Sequence, residues 1–212
     1  MESFPDATLR IYEPGQVVVY YGDAPNYMMF IKSGAVKFYD TDSRGNEKIL
    51  HIKGKGSLFS LSSSFEDKKQ VDAFYTTLCR SELIMIPIEE FRHLLKTTPN
   101  YAYQILGWYA EEMSHIILQL NNLGKSTAKQ KVLGALDYLI DQHSTANHES
   151  RNWHQVDFPV SQQLLADMTG ITRETANAIL RDASKLNIVQ TPRKQILEIH
   201  KINLKKQLNE IS

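Results

Sequence analysis

The sequence predicts an α+β protein in three parts: an N-terminal double-stranded β-helix (jelly-roll) domain, a long dimerisation helix and a C-terminal winged helix-turn-helix. Three observations carry this prediction. Glycines punctuate the first 90 residues, an apolar seam with helical spacing follows residue 99, and two short helices joined at a glycine precede a basic hairpin. We expect the three parts to occupy residues 1–98, 99–124 and 125–212.

The composition is that of an ordinary globular protein. The 212 residues are 42% hydrophobic and 23% charged, with a net charge of zero. A single cysteine, Cys79, excludes an internal disulfide framework and a cysteine-ligated iron–sulfur cluster within one chain. No basic segment followed by an apolar run opens the sequence, and no window approaches 18 uninterrupted apolar residues. We therefore expect a cytoplasmic protein without a membrane span.

Short strands separated by turns are expected from about residue 8 to 90. Six of the ten glycines lie in this region, mostly 7–12 residues apart. This spacing of turns is typical of a β-sandwich or β-barrel. The residues 42–46 suit a hairpin turn with Gly45 at positive φ. Strands are predicted at residues 17–21, 28–31, 36–39, 49–52, 74–79 and 83–86, the last of them closed by Pro87.

The apolar residues after Pro99 predict one long helix. Proline suits the first turn, and a helix ending near Gly124 is about 37 Å long at 1.5 Å per residue. Six apolar residues repeat at intervals of three and four: Leu106, Tyr109, Met113, Ile116, Leu120 and Leu123. This heptad seam favours pairing with a second copy of the chain. The alternative is a single long core helix inside one protomer.

The chain is predicted to be helical again over residues 129–143, and polar and turn-like over residues 145–155. Ser161 then suits the N-cap of a helix over 162–168, which Gly170 ends. Thr172 can cap a second helix over 173–186. Two short helices joined by a three-residue turn with a glycine form a helix-turn-helix. Apolar Leu165, Ile171 and Ile179 and small Ala166 and Ala176 fall where the two helices must meet.

The second of these helices presents side chains that suit the major groove of DNA. Arginine can bond guanine O6 and N7 together, and a carboxylate can accept from cytosine N4. The strands at 188–190 and 196–199 form a wing whose basic turn suits phosphates. Residues 124–212 carry a net charge of +3, which agrees with a nucleic-acid partner. The expected DNA-binding residues are Ser161, Gln162, Thr172, Arg173, Glu174, Asn177, Arg181, Arg193 and Lys194. A charged, solvated helix face is the alternative.

Three stretches resemble the Crp/Fnr family of bacterial transcription regulators: residues 30–36 in the roll, 45–50 at the hairpin and the run Thr172-Arg173-Glu174-Thr175 in the second helix. The resemblance covers residues 12–200. It implies a β-roll sensor domain, a homodimer on an inverted-repeat DNA operator, and RNA polymerase as a partner. It also implies that Arg173 and Glu174 read G·C pairs. Ala178 stands where prototypes have a second arginine, and Asn177 beside it is expected to read adenine.

The expected effector pocket departs from the pattern of cyclic-nucleotide-binding members. Those members carry Gly-Glu before a short helix and Arg-Ser or Arg-Thr after it. Here Leu61 replaces the glutamate, and Val71-Asp72 replaces the arginine pair. A phosphate there would meet a carboxylate, and two like charges about 4 Å apart repel by roughly 1 kcal/mol in water. We expect no cyclic AMP control of the usual kind, while another small-molecule effector stays open. The pocket candidates are Ser60, Leu61, Ser62, Ser63, Val71 and Asp72.

The sequence gives little support to other chemistries. His51, His93 and His115 are candidate haem ligands, but none lies in a distinctive motif, and no His-x-His pair suggests a cupin-type metal site. Cys79 is expected to be a buried, inert thiol, with a redox role as the alternative. A Ser–His–Asp hydrolase triad could be drawn from Ser161, His154 and Asp157, but no nucleophile-elbow motif supports it. We expect no enzyme activity, no metal and no cofactor. The rival interpretation is a ligand-binding module whose helix-turn-helix contacts protein.

Overall fold

The computed structural model describes residues 4–24, 26–60, 70–71, 73–146, 152–193 and 196–211. The chain divides into two compact units. The first contains Met1–Asp40 and His51–Ile116, and the second contains Thr41–Leu50 and Ile117–Ser212. In the described residues, no helix is both long enough and apolar enough to cross a membrane.

Eight strands build the predicted β-roll. They are β1 (Thr8–Tyr12), β2 (Val17–Val19), β3 (Tyr27–Ser33), β4 (Val36–Thr41), β5 (Glu47–Lys53), β6 (Leu58–Phe59), β7 (Phe74–Thr77) and β8 (Ser81–Pro87). They form two four-stranded sheets, one in the order β1-β8-β3-β6 and the other in the order β2-β7-β4-β5. This arrangement confirms the expected double-stranded β-helix, although β1 was not predicted.

The core of the roll forms because successive residues of a strand point to opposite faces of its sheet. Leu83 and Met85 of β8 are buried with Ile31 of β3 and Phe59 of β6. The ring of Phe59 stacks on Tyr75 with centroids 4.9 Å apart. Aromatic pairs at such distances stabilise a core beyond the area they bury.

One glycine of the roll is required by its neighbours. Gly34, between β3 and β4, has φ +94°, and an added Cβ would lie 2.7 Å from the Cα of Ser81. The chain therefore crosses the start of β8 at a distance that only glycine allows.

Strand β7 ends at Thr77, earlier than the predicted residue 79. Cys79 consequently lies in the bend before β8 and is only half-buried. The expectation of a buried thiol on an alternating strand was wrong, because the ladder does not extend to this residue.

Two helices follow the roll. The first, α1 (Ile88–Thr97), was not predicted, and its Phe91 is buried against Met28 and Ile86 of the sheet. The second, α2 (Pro99–Leu123), is the predicted long helix, and it begins and ends where the proline and Gly124 indicated. Trp108 of α2, which lies off the apolar seam, packs on the cluster around Phe91.

The second unit holds the winged helix-turn-helix. Its elements are α3 (Ala128–His143), β9 (Ser144–Ala146), β10 (Trp153–Val156), α4 (Gln162–Thr169), α5 (Arg173–Lys185), β11 (Val189–Arg193), β12 (Ile196–His200) and α6 (Lys201–Ile211). The four strands form one sheet in the order β11-β12-β10-β9.

Two features of this unit differ from the prediction. Residues 145–155 were expected to be turn-like, but β9 and β10 pair there, with His154 opposite Ala146. Their apolar residues do not alternate with polar ones, so sheet pairing decides their structure. The C-terminal α6 was also missed. It buries Leu204 and places Lys205 Nζ 2.7 Å from an Asp137 carboxylate oxygen of α3.

A buried ion cluster ties α2 to β5 within the first unit. The Glu112 side chain is only 11% exposed, and its carboxylate accepts a hydrogen bond from Lys53 Nζ and lies 3.2 Å from His51 Nε2. The Lys53 ammonium also lies 5.3 Å from the Trp108 ring centroid. Burial disfavours the charged carboxylate, but the interactions with His51 and Lys53 outweigh this effect and hold the pKa of Glu112 at about 2. Burial also lowers the pKa of His51.

Candidate nucleic-acid interface

The helix-turn-helix is set by side-chain caps on both of its helices. Ser161 Oγ accepts from the backbone N–H of Leu164 at 3.0 Å, which starts α4. Gly170 ends that helix in the left-handed conformation, with φ 65°. Thr172 Oγ1 then accepts from the N–H of Thr175 at 3.2 Å and starts α5. Each cap satisfies an N–H that the first turn leaves without an intrahelical partner.

The two helices meet through the small and apolar residues predicted for this contact. Leu165, Ala166 and Ala176 are buried, and Ile171 and Ile179 are half-buried. Thr169 is also buried although it is polar, because its hydroxyl donates to the Leu165 carbonyl at 2.6 Å. A threonine in a helix can satisfy the hydrogen-bonding need of its hydroxyl in this way, with a backbone carbonyl of the preceding turn. The position therefore tolerates threonine.

The exposed side of α5 carries the predicted base-reading residues. Arg173, Glu174 and Arg181 are exposed, and Asn177 is half-buried. Arg173, Asn177 and Arg181 follow one another at intervals of four, so they share one helix face. Together with Ser161 and Gln162 they line a cleft of about 670 Å³ between α5 and β11. Thr172 and Glu174 are exposed and do not line this cleft.

Two contacts of this region could not be found from local sequence patterns. Gln162 Nε2 donates to Asn177 Oδ1 at 2.8 Å, which joins the first residue of α4 to the exposed face of α5. Gln119 of α2 is almost fully buried, and its Nε2 donates to the Met168 carbonyl at 3.0 Å. The long helix is thus bonded directly to α4. Each contact joins residues far apart in sequence, so neither periodicity nor capping patterns predicts it.

The wing is the hairpin of β11 and β12, in which Val189 pairs with Ile199 and Arg193 with Ile196. Gln190 Nε2 donates to Glu198 Oε2 at 2.6 Å between the strands. The backbone of Arg193 belongs to β11, and its side chain and all of Lys194 lie outside the described part of the structure. The predicted phosphate contacts of these two residues therefore stay a prediction.

The apolar seam of α2 leaves much hydrocarbon uncovered in the single chain. Leu106 is 64% exposed and Leu120 is 52% exposed, with Tyr109 and Met113 at about 40%. Ile116 and Leu123 are half-buried, whereas the adjacent Ile117 is 52% exposed. The exposed row therefore follows residues 106, 109, 113, 117 and 120. It differs from the predicted seam at the fourth position, where Ile117 takes the place of Ile116.

The candidate effector pocket can be described in part. Ser60 and Val71 are buried and line a pocket of about 240 Å³ in the first unit, together with Arg10 and Asp23. Leu61, Ser62, Ser63 and Asp72 lie outside the described residues. The structure thus brings two of the six predicted residues to one pocket.

The other candidate sites do not assemble. Within the described ranges, no group of three or more histidine, cysteine, aspartate or glutamate residues could hold a metal ion. His51 contacts Glu112, His93 is exposed and His115 is half-buried. Ser161 caps α4, while His154 Nδ1 lies 3.4 Å from Ser144 Oγ and Asp157 accepts from Thr145. These three residues therefore have different partners and form no triad.

Two family models match the chain, one in each half. The family model for the cyclic nucleotide-binding domain matches residues 9–98, and that for the Crp-like helix-turn-helix domain matches residues 130–204. The chain is 25% identical over 181 residues to the "Cyclic AMP receptor protein" of Thermus thermophilus, covering 85% of this chain and 79% of that one. It is also 25% identical to the "HTH-type transcriptional regulator ArcR" of Staphylococcus epidermidis, covering 85% and 77%. The structure of FixK2 from Bradyrhizobium japonicum has the same fold, with a TM-score of 0.80 at 18% identity, covering 94% and 96%.

Proposed function

Because the chain belongs to the Crp/Fnr family of bacterial transcription regulators, we propose that it is a dimeric, sequence-specific DNA-binding regulator of the cytoplasm that does not respond to cyclic AMP in the usual way. Helix α5 enters the major groove, and the β11–β12 hairpin contacts the neighbouring backbone. RNA polymerase is the expected protein partner.

The observation that carries this proposal is the cleft beside α5. Its described lining contains Arg173 and Arg181 and no carboxylate, so its charge favours a polyanion. Arg173 is the first residue of α5 and projects from the end of the helix that enters a groove. A guanidinium there can bond guanine O6 and N7 together.

The uncovered seam of α2 supports the dimer. A row of large apolar residues exposed along a helix marks an interaction surface, and heptad spacing suits a parallel partner helix. A twofold dimer would place two copies of α5 about 34 Å apart, which is one turn of DNA. The operator is then an inverted repeat.

The proposed function is tested by selecting bound DNA from a random pool and measuring its affinity at several salt concentrations. We expect an inverted repeat and a steep loss of affinity with salt, because phosphate contacts release counterions. A pool without enrichment, or binding that salt does not change, would favour the alternative in which the helix-turn-helix contacts protein.

Arg173→Ala is expected to weaken binding to the selected operator by about 1–3 kcal/mol per half-site and to change binding to random DNA little. Arg173→Lys should recover little of the loss, because lysine cannot make the paired bonds. Arg44→Ala, an exposed arginine in the turn after β4, is the control with the same change of charge. Equal weakening of operator and random DNA by Arg173→Ala would make Arg173 a phosphate contact instead.

Cyclic AMP is expected not to bind in the family's usual mode. Leu61 and Val71-Asp72 provide neither the ribose-binding carboxylate nor the phosphate-binding arginine that the family pattern has. Isothermal titration of the full chain with cyclic AMP should give no binding in the micromolar range. A micromolar dissociation constant would contradict this prediction, and Asp72→Ala would then show whether the site is this pocket.

A further inference from the structure

The hydrogen bond between Gln162 and Asn177 joins two residues that both face the cleft. Both side chains are half-buried, and each stands on a fixed part of the framework. Ser161 caps the helix that begins at Gln162, and Ala176, next to Asn177, is completely buried. The bond therefore links one helix start that is held by a cap to a second helix that is anchored by a buried neighbour.

The direction of this bond determines what Asn177 can offer to a base. An asparagine amide has an acceptor oxygen and a donor nitrogen, and an unrestrained asparagine uses both to read adenine. Here Oδ1 accepts from Gln162 at 2.8 Å. The Nδ2 group of Asn177 has no acceptor in the part of the chain that the structure describes. Its two N–H groups are therefore the part of the amide that remains for DNA.

Building on the proposed function, we infer that Gln162 is a positioning residue that orients Asn177 as a hydrogen-bond donor, so that the base contacted by Asn177 is guanine. Guanine presents two acceptors, O6 and N7, in the major groove. Adenine presents the N7 acceptor beside its N6 amino group, which would face the amino group of Asn177. The pair thus replaces the adenine preference expected from asparagine alone by a preference for guanine.

The neighbouring glutamine provides a matched control. Gln163 also lines the cleft, but its Nε2 donates to Asp167 Oδ1 at 2.7 Å, within its own helix. Replacing Gln163 by alanine removes the same kind of side chain one residue away and leaves the bond to Asn177 intact. An effect of Gln162 through Asn177 should be absent from this control.

The test measures affinities for a set of operators that differ at one base pair. Asn177→Ala identifies that pair as the position whose preference disappears. The wild-type chain should prefer guanine to adenine there by about tenfold or more. In Gln162→Ala the Asn177 amide can turn, and the ratio of the affinities for the guanine and adenine operators should fall to about threefold or less. Gln163→Ala should keep the wild-type ratio of these two affinities.

Gln162→Glu gives a readout that a merely structural role would not produce. A carboxylate can only accept, so it should bond the amide nitrogen of Asn177 and turn its oxygen toward the groove. The preference should then move from guanine toward adenine, even if the added charge lowers affinity for all DNA.

The inference fails if the wild type prefers adenine at this position, if Gln162→Ala keeps the guanine preference, or if Asn177→Ala changes no position. In each of these outcomes selective operator binding persists, so the proposed function stands. If the wild-type chain binds no sequence selectively and shows no salt dependence, the proposed function fails and the inference fails with it.

Discussion

Glu112→Gln is expected to destabilise the first unit by about 3–5 kcal/mol, because it removes one partner of a buried ion pair and leaves the Lys53 ammonium without a counter-charge. The neutral amide also loses the attraction that offsets the burial of Lys53 and His51. Urea unfolding should be followed by the fluorescence of Trp108, which lies beside Lys53, in a Trp153→Phe background. The signal then reports only the first unit.

A surface ion pair supplies the control for this substitution. Lys32 Nζ lies 3.0 Å from Glu82 Oε2 on the partly exposed side of the roll. Glu82→Gln should cost less than about 1 kcal/mol, because solvent screens exposed pairs. The double variant Lys53→Met/Glu112→Leu should recover most of the stability lost in Glu112→Gln, since it leaves no unpaired buried charge. Equal effects of Glu112→Gln and Glu82→Gln would show that the cluster contributes little.

The same cluster predicts a dependence on pH. The pKa of Glu112 is about 2 in the folded chain, below its ordinary value of 4.5. Its stabilising contribution is therefore complete above about pH 5 and is lost as the pH falls from 4.5 toward 2. The difference in unfolding free energy between the wild type and Glu112→Gln should shrink over this range. If the difference in unfolding free energy is the same at pH 3 and pH 7, the pKa of Glu112 is not lowered by this cluster.

Met113→Glu/Leu120→Glu is expected to convert the proposed dimer to a monomer and to lower operator affinity by about 100-fold or more. Both residues lie in the exposed row of α2, and in a twofold pair the new carboxylates would face their counterparts and repel. A monomer binds only one half-site, so it also loses the gain in affinity that comes from binding two linked half-sites at once. That gain is on the order of 10²–10⁴-fold. Sedimentation velocity measures the first effect, and a gel shift on the selected operator measures the second.

Leu118→Glu is the matched control for the dimer prediction. Leu118 is 55% exposed, close to the 52% of Leu120. At 3.6 residues per turn it lies roughly 200° around the helix from Leu120, on the side away from the seam. The single variant Leu118→Glu should stay dimeric, and Leu120→Glu should weaken the dimer. A double variant that sediments as a dimer would show that α2 does not provide the interface along this row.

The sequence alone determined the local architecture of this protein. Turn glycines, the heptad spacing after Pro99, the caps Ser161 and Thr172 and the small residues between α4 and α5 each act within a few residues. Such signals predicted the β-roll, the long helix and the helix-turn-helix. They also placed Arg173 at the start of α5, because a capped helix begins at its cap.

Only the tertiary structure decided which distant side chains meet. Strands β9 and β10 lack the alternation of polar and apolar residues that would predict them, and α6 buries only Leu204 among its described residues. The structure of all three therefore depends on partners elsewhere in the chain. The Lys53–Glu112 pair and the Gln162–Asn177 bond join residues 59 and 15 positions apart. Contacts of this kind leave no periodic trace, since burial and hydrogen bonding across elements depend on packing, which local propensity does not encode. The sequence therefore predicted where α5 begins, and the fold determined that its Asn177 is bonded to Gln162.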